Sequence, residues 1–175
     1  MVITLIRVMI LLKRLSVRVH YGVVKIIPFQ ATYLDGIVLL EQRAFPVGPY
    51  TRRMLEHVFR NPQAFSFVAI DDGKVAGYVV ALPLGVESAD IESIAVDPAN
   101  QGNGTGGLLL DAIEQEMKAR GFSSSVLEVR DRNTQAINFY RKHGYEIIEH
   151  MPKYYHELYE GSRGAYRMAK SLKKD

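Results

Sequence analysis

The chain has 175 residues, 22 basic against 19 acidic side chains, 47% hydrophobic residues and neither cysteine nor tryptophan, the balance of one ordinary globular domain. Without cysteine, a disulfide framework, a thiolate metal centre and a thiol nucleophile are excluded, and His20, His57, His143, His150 and His156 show no ligand spacing such as H-E-x-x-H, so no metal is expected. The net charge of +3 is uneven: residues 1–22 hold Arg7, Lys13, Arg14 and Arg18 with no acid, leaving 18 basic against 19 acidic residues, so no nucleic-acid partner is expected of the body of the protein.

Residues 1–12 are apolar, but Arg7 interrupts them and Lys13 and Arg14 end them. That falls short of the about 20 continuous apolar residues of a membrane span, and the charge order and cleavage site of a secretory signal are missing. Residues 1–22 read as an N-terminal extension, packed as an added element or free, with a peripheral membrane or partner-binding role as the sharper alternative. Residues 23–175 read as a single domain, and the cytosol is the default compartment.

Residues 23–27 are a β-rich run stopped by Pro28, and residues 33–43 carry Leu34, Ile37, Val38 and Leu40 at helical spacing. A loop over residues 44–50 leads to Thr51, the expected N-cap of a second helix with Met54, Leu55, Val58 and Phe59 inward and Asn61-Pro62 at its end. Residues 65–70 and 75–82 flank Asp71-Asp72-Gly73-Lys74, a hairpin signal because Asp-Gly supplies the turn conformations. Residues 89–96 form a third run, pairing back onto the second and ended by Asp97-Pro98. After a glycine-rich stretch, a helix of about 13 residues, 108–120, is stopped by Gly121; Leu109, Leu110, Ile113 and Met117 point inward, with Glu114, Glu116, Lys118 and Arg120 towards solvent. Residues 125–129 are a strand, Asn133 caps a helix to His143, residues 145–150 resume β structure, and a last strand covers about 165–172. Hairpins first and a β-α-β-α-β passage later predict a mixed α/β fold, its central sheet mostly antiparallel with helices on both faces.

Gln101-Gly102-Asn103-Gly104-Thr105-Gly106-Gly107 lies between a strand and a helix, where backbone N–H groups and the helix dipole can hold a phosphate; the bland alternative is a flexible loop. The letters also fit G-x-G-x-x-G, with Glu128 as ribose ligand, but five residues separate the strand from the first glycine and no second set of βαβ units follows. No Gly-Lys-Ser/Thr closes a P-loop.

Ile94-Ala95-Val96-Asp97-Pro98 followed by Gln101-x-x-Gly104-x-Gly106 resembles the acetyl-coenzyme A motif of the GNAT acetyltransferases. Leu127-Glu128-Val129-Arg130, Asn133, Ala136, Phe139-Tyr140, Gly144-Tyr145 and Tyr154-Tyr155 resemble the N-terminal protein acetyltransferases of the RimI and archaeal types. The likeness covers residues 23–172. It implies a GNAT-like fold, acetyl-CoA as cosubstrate, and a protein or peptide N-terminus as acceptor, ribosomal proteins among the candidates. By the same resemblance a backbone N–H of Ile94, Ala95 or Val96 faces the thioester oxygen, residues 101–107 hold the pyrophosphate and Asn133 touches the pantetheine arm, a role compatible with a plain N-cap.

The resemblance also makes Glu128 the general base. Its place between Leu127 and Val129 calls for a reason, since desolvation would raise its pKa; the alternative is an exposed face with Glu128 paired to a cation. Tyr140 is implied as general acid, with a core aromatic as the alternative. Phe45, Pro46, Val47 and Tyr50 of the first loop and Tyr154 and Tyr155 of the last would close over an incoming N-terminus, unless the tyrosines are simply amphipathic surface residues. Two departures stand out: the glycine loop holds no Arg or Lys, and Gly161-Ser162-Arg163-Gly164-Ala165 replaces the Gly-Glu-Asp-Ala of RimI-like chains. Acetyl transfer to a small amine or a lysine side chain, and a non-catalytic coenzyme A-binding module, are the competing functions; an acidic acceptor cleft would favour the former.

Overall fold

The computed structural model describes residues 24–173. The expected extension, residues 1–22, and the start of the first expected strand at Val23 lie outside the described residues. Among the described residues seven strands form one sheet: β1 Lys25–Pro28, β2 Phe65–Asp71, β3 Lys74–Leu84, β4 Ser88–Val96, β5 Ser124–Arg130, β6 Glu146–Met151 and β7 Ala165–Ser171. Their order across the sheet is β1-β2-β3-β4-β5-β7-β6, so the last strand inserts between β5 and β6. Every pair is antiparallel except β4 with β5. Four α-helices among the described residues cover it: α1 Leu34–Ala44, α2 Arg52–Arg60, α3 Thr105–Ala119 and α4 Thr134–Lys142.

Strand alternation sends side chains to opposite faces and so builds two cores. In β2, Ala69 joins Leu109, Leu110, Ile113 and Met117 of α3 with Ile137 and Tyr140 of α4. Val68 joins the other core, with Ile37 and Leu40 of α1 and Leu55 of α2. The β2–β3 turn needs left-handed backbone at two successive residues, and Asp72 (φ 47°) and Gly73 (φ 73°) supply it. The Thr51 hydroxyl accepts the Met54 amide at 3.3 Å and caps α2 as expected. Asn133 does the same for α4, accepting from the Ala136 amide at 3.1 Å.

Three details differ from the sequence reading. Helix α3 begins at Thr105 rather than at residue 108, because Gly104 takes a left-handed conformation (φ 83°) and turns the chain into the helix. Gly106 and Gly107 therefore lie in its first turn, where a Cβ would stand 3.4 Å from the Phe139 ring and 3.2 Å from His143 Nε2. Glu114 does not face solvent: it is 5% exposed, and Lys170 from β7 reaches its Oε2 at 2.6 Å. Met54, expected inward, is 47% exposed, because it lines a surface cleft of about 390 Å³ with Tyr50, His57 and Glu92 instead of joining the core.

The approach of α3 to the sheet depends on Gly77 in β3. A Cβ there would come 2.8 Å from the carbonyl oxygen of Ala95 and 2.9 Å from Leu109 Cδ1. Gly77→Ala is expected to lower stability by ~1–3 kcal/mol, because a main-chain oxygen and a packed helix must both shift. A reduced urea midpoint with unchanged slope would report it.

Candidate active site

Only three residue pairs join β4 to β5: Ser88 with Ser124, Ala89 with Ser125 and Asp90 with Val126. Beyond Asp90 the strands part, so the backbone of residues 91–96 in β4 has no strand partner on its β5 side among the described residues. That leaves main-chain N–H groups next to the start of α3, a place where donors can meet a ligand. The expected coenzyme residues Ile94, Ala95 and Val96 fall on this stretch.

Past it, Asp97 accepts the Ala99 amide at 3.0 Å and the Arg43 side chain at 3.0 Å, fixing the turn Pro98–Asn100. Gln101 donates through Nε2 to the Val96 carbonyl at 3.2 Å, so its side chain ties the loop to the strand end. Gly102 (φ 79°) and Gly104 are left-handed, and open space lies where a Cβ would be on either. With Asn103, they leave the loop's main chain uncovered ahead of the helix N-terminus. Thr105 is 1% exposed, and its hydroxyl has no hydrogen-bond partner among the described residues. An orphaned hydroxyl and bare amides at a helix start fit a phosphate-bearing ligand. Asn133 lies at the start of α4 with its Oδ1 occupied by the cap.

Glu128 combines features of both readings made of it. Its side chain is 12% exposed, so the face is largely covered, and it is paired with a cation, Arg167 Nε donating to Oε1 at 2.7 Å. Register places the pair: β5 and β7 are antiparallel with Glu128 opposite Arg167, which also reaches Glu149 at 3.0 Å. Its Oε2 has no hydrogen bond among the described residues. Tyr140 lies in the α3–α4 core at 8% exposure, edge-on to Phe139 and Tyr145, and its hydroxyl has no partner among the described residues. Burial, and then the neighbouring Tyr155, push its phenol well above the ordinary 10, so it keeps its proton across the physiological range.

Two carboxylates missed by the sequence reading stand on β4 close to Glu128. Asp90 has an oxygen, Oδ1, that is buried with no partner among the described residues. Burial first, then the negative charges of Glu128 and Glu92, push its carboxyl up to about 7, Arg167 opposing them. Glu92 accepts the Tyr50 hydroxyl at 2.7 Å. The signal was available, since Asp90 and Glu92 alternate with buried Ala89 and Ile91.

The two loops named from sequence meet across Arg130. Its guanidinium lies 4.1 Å from the centre of the Tyr155 ring and donates to the Glu157 carbonyl at 3.0 Å. On the other loop, a Cβ on Gly48 would stand 3.5 Å from Arg130 Nη2 and 3.5 Å from Glu157 Oε2. Tyr154 packs edge-on to Tyr155, with ring centres 4.9 Å apart. Burial, followed by Glu128 and other negative neighbours, raises the Tyr154 phenol to about 12. Tyr50 and Tyr154 are thus gathered around Glu92, Asp90 and Glu128. Phe45 turns the other way, packing against the α1–α2 core, while Pro46 is exposed and Val47 half-buried. The departing 161–165 segment is anchored by Ser162, which donates to Asp131 at 2.9 Å and accepts the Gly164 amide at 2.9 Å.

A mixed sheet whose parallel pair parts beside a glycine-led helix is the architecture of an N-acetyltransferase that uses acetyl-CoA. The chain matches the acetyltransferase (GNAT) family over residues 34–145 and belongs to it. It is similar to an N-alpha-acetyltransferase of Sulfurisphaera tokodaii, 33% identical over 153 residues, 81% of this chain and 89% of that protein. A [ribosomal protein bS18]-alanine N-acetyltransferase of Escherichia coli is 30% identical over 129 residues, 72% of this chain and 83% of that one. The crystal structure of the ribosomal-protein-S18-alanine N-acetyltransferase from Escherichia coli superposes with a TM-score of 0.79 at 27% identity, covering 87% of this chain and 96% of that one. Among the described residues, no helix is long and apolar enough to cross a membrane and no cluster of three or more acids or histidines is placed to hold a metal.

Proposed function

We propose that this enzyme moves the acetyl group of acetyl-CoA to the N-terminal α-amino group of a protein. The observation that carries the reading is the meeting of two tyrosine-bearing loops over the parting of β4 and β5, beside Glu128. Such a cleft suits the end of a chain, whose backbone the tyrosine hydroxyls can reach. The names of the relatives from Sulfurisphaera tokodaii and Escherichia coli support the same acceptor class, and a ribosomal protein is one candidate.

In this proposal, acetyl-CoA supplies an activated thioester with a thiolate leaving group. Oε2 of Glu128 takes a proton from the acceptor ammonium, directly or through water, which frees the nitrogen lone pair. A backbone N–H of residues 94–96 donates to the oxygen on which negative charge develops, a fixed dipole that needs no reorganisation. The nitrogen attacks the thioester carbon, and the C–S bond breaks as the carbonyl re-forms. Tyr140 gives its proton to the departing sulfur, and the second proton shed by the new amide nitrogen passes through solvent to restore the Tyr140 hydroxyl. Gln101, Gly102, Asn103, Gly104, Thr105, Gly106 and Gly107 hold the pyrophosphate through main-chain amides and the helix start, and Asn133 borders the pantetheine arm. The acceptor is held by Tyr50, Tyr154 and Tyr155, with Pro46 and Val47 shaping the wall for its first side chain, while Phe45 anchors the loop in the α1–α2 core. The cytosol is the proposed compartment.

One feature favours a second acceptor class. Asp90, Glu92 and Glu128 concentrate negative charge in the cleft, which suits a lysine side chain or a small amine. Incubation of the protein with acetyl-CoA and two peptide pools separates the readings. One pool has free N-termini and no lysine, the other is N-blocked with internal lysine, and transfer is read by mass. Acetylation of the first pool alone is the expected outcome. Transfer only to the second would replace the α-amine with lysine as acceptor, and binding of acetyl-CoA without transfer to either pool would sink the proposal.

A further inference from the structure

Glu41 lies in the last turns of α1 and is 1% exposed, within the core that holds Ile37, Leu40, Leu55, Val68 and Val80. A carboxylate there is costly, and a well-packed apolar residue would serve stability at least as well. Its hydrogen bonds give it another use. Oε2 accepts the backbone N–H of Tyr50 at 2.7 Å, and Oε1 accepts the hydroxyl of Tyr78 on β3. Tyr78 in turn bonds Ser93 on β4 at 2.8 Å, one residue before the expected thioester-facing stretch. Tyr50 reaches β4 a second time, donating its hydroxyl to Glu92.

We infer that Glu41 is a positioning residue that sets the acceptor wall against the coenzyme strand. The inference rests on the proposal that the 45–50 loop contacts the acceptor. Pro49 precedes Tyr50 and brings no N–H of its own, so the Tyr50 amide is a principal main-chain donor at this end of the loop, and Glu41 is its acceptor. Burial pushes the Glu41 carboxyl up from its ordinary range, while Tyr78 and the Tyr50 amide draw it back. Glutamine can satisfy the same partners: its oxygen accepts from Tyr50, its amide donates to the Tyr78 oxygen, and Tyr78 turns its proton to Ser93. Alanine leaves the Tyr50 amide without its acceptor and Tyr78 bonded to Ser93 alone.

The test uses the full chain, acetyl-CoA and the fastest member of the lysine-free pool. Glu41→Ala is expected to raise the peptide KM at least tenfold, with kcat within threefold and the acetyl-CoA KM within twofold of wild type. Glu41→Gln is expected to restore the peptide KM to within threefold. An unchanged peptide KM in Glu41→Ala, an equal rise in both KM values, or no rescue by glutamine overturns the inference. A readout in the wild type covers the case in which Glu41→Ala fails to fold. Amide exchange at Tyr50 should be at least a hundredfold slower than at Val47 and Gly48, and similar rates at all three would also overturn the inference. Failure of the acceptor reading shows separately, as absence of wild-type transfer to the peptide pool, and leaves the exchange result to decide the role of Glu41.

Discussion

Glu128→Gln should lower kcat for acetyl transfer by about 10²–10⁴-fold, the range of a positioned general base, and leave the Kd for acetyl-CoA within about twofold. The substitution is nearly isosteric, and the remaining oxygen can still accept from Arg167 Nε, which donates to Oε1 at 2.7 Å in the wild type. The β5–β7 contact is thereby kept. What changes is the second position, where an atom able to take a proton is replaced by an NH2 group that can only donate. Steady-state kinetics with the peptide substrate, and calorimetric titration with acetyl-CoA, separate chemistry from binding. A fall in kcat with binding intact would assign the base. A variant with wild-type kcat would leave Glu128 a structural partner of Arg167. Coenzyme binding without measurable turnover even in the wild type would favour the binding-module alternative.

What the sequence disclosed depended on how far apart the interacting residues are. The Asp72-Gly73 turn and the caps at Thr51 and Asn133 are local, and each was legible because a few neighbouring residues determine it. The glycine-rich stretch 101–107 stood out in the sequence, yet the helix start was misplaced, because Gly106 and Gly107 read as loop until α4 is seen packing on them through Phe139 and His143. Glu114 was assigned to solvent because helical periodicity identifies a face but not its cover, and Lys170 arrives from a strand 56 residues further on. The same limit hid Arg167 as the partner of Glu128, since β7 lies between β5 and β6 by a topology that no spacing announces. Nothing in the helical spacing singles out Glu41, because its partner, the Tyr50 amide, comes from a loop nine residues further on.

Asp90→Asn should leave stability near wild type below pH 4, raise it by ~1 kcal/mol at pH 5 and raise it by ~2–4 kcal/mol at pH 8. In the folded protein the Asp90 carboxyl is pushed from its ordinary 3.8 to about 7, chiefly by burial and then by Glu128 and Glu92. The folded state therefore binds this proton more tightly than the unfolded chain does. That contribution to stability is complete below pH 3.8, declines as pH rises, and is lost once pH passes about 7, where folding must carry a charged carboxylate with an unpartnered oxygen. A gap of about three decades in proton affinity corresponds to ~4 kcal/mol, and partial contact with solvent trims it, hence the range given. Asparagine has no proton to lose, and its amide can donate to the carboxylates that repel Asp90. Urea unfolding of both proteins at pH 5 and pH 8 provides the check, because pH effects common to the two cancel in the difference. A difference that grows with pH in favour of Asp90→Asn is expected. An equal difference at the two pH values would mean that Asp90 is ionised throughout, with a compensating partner in the cleft.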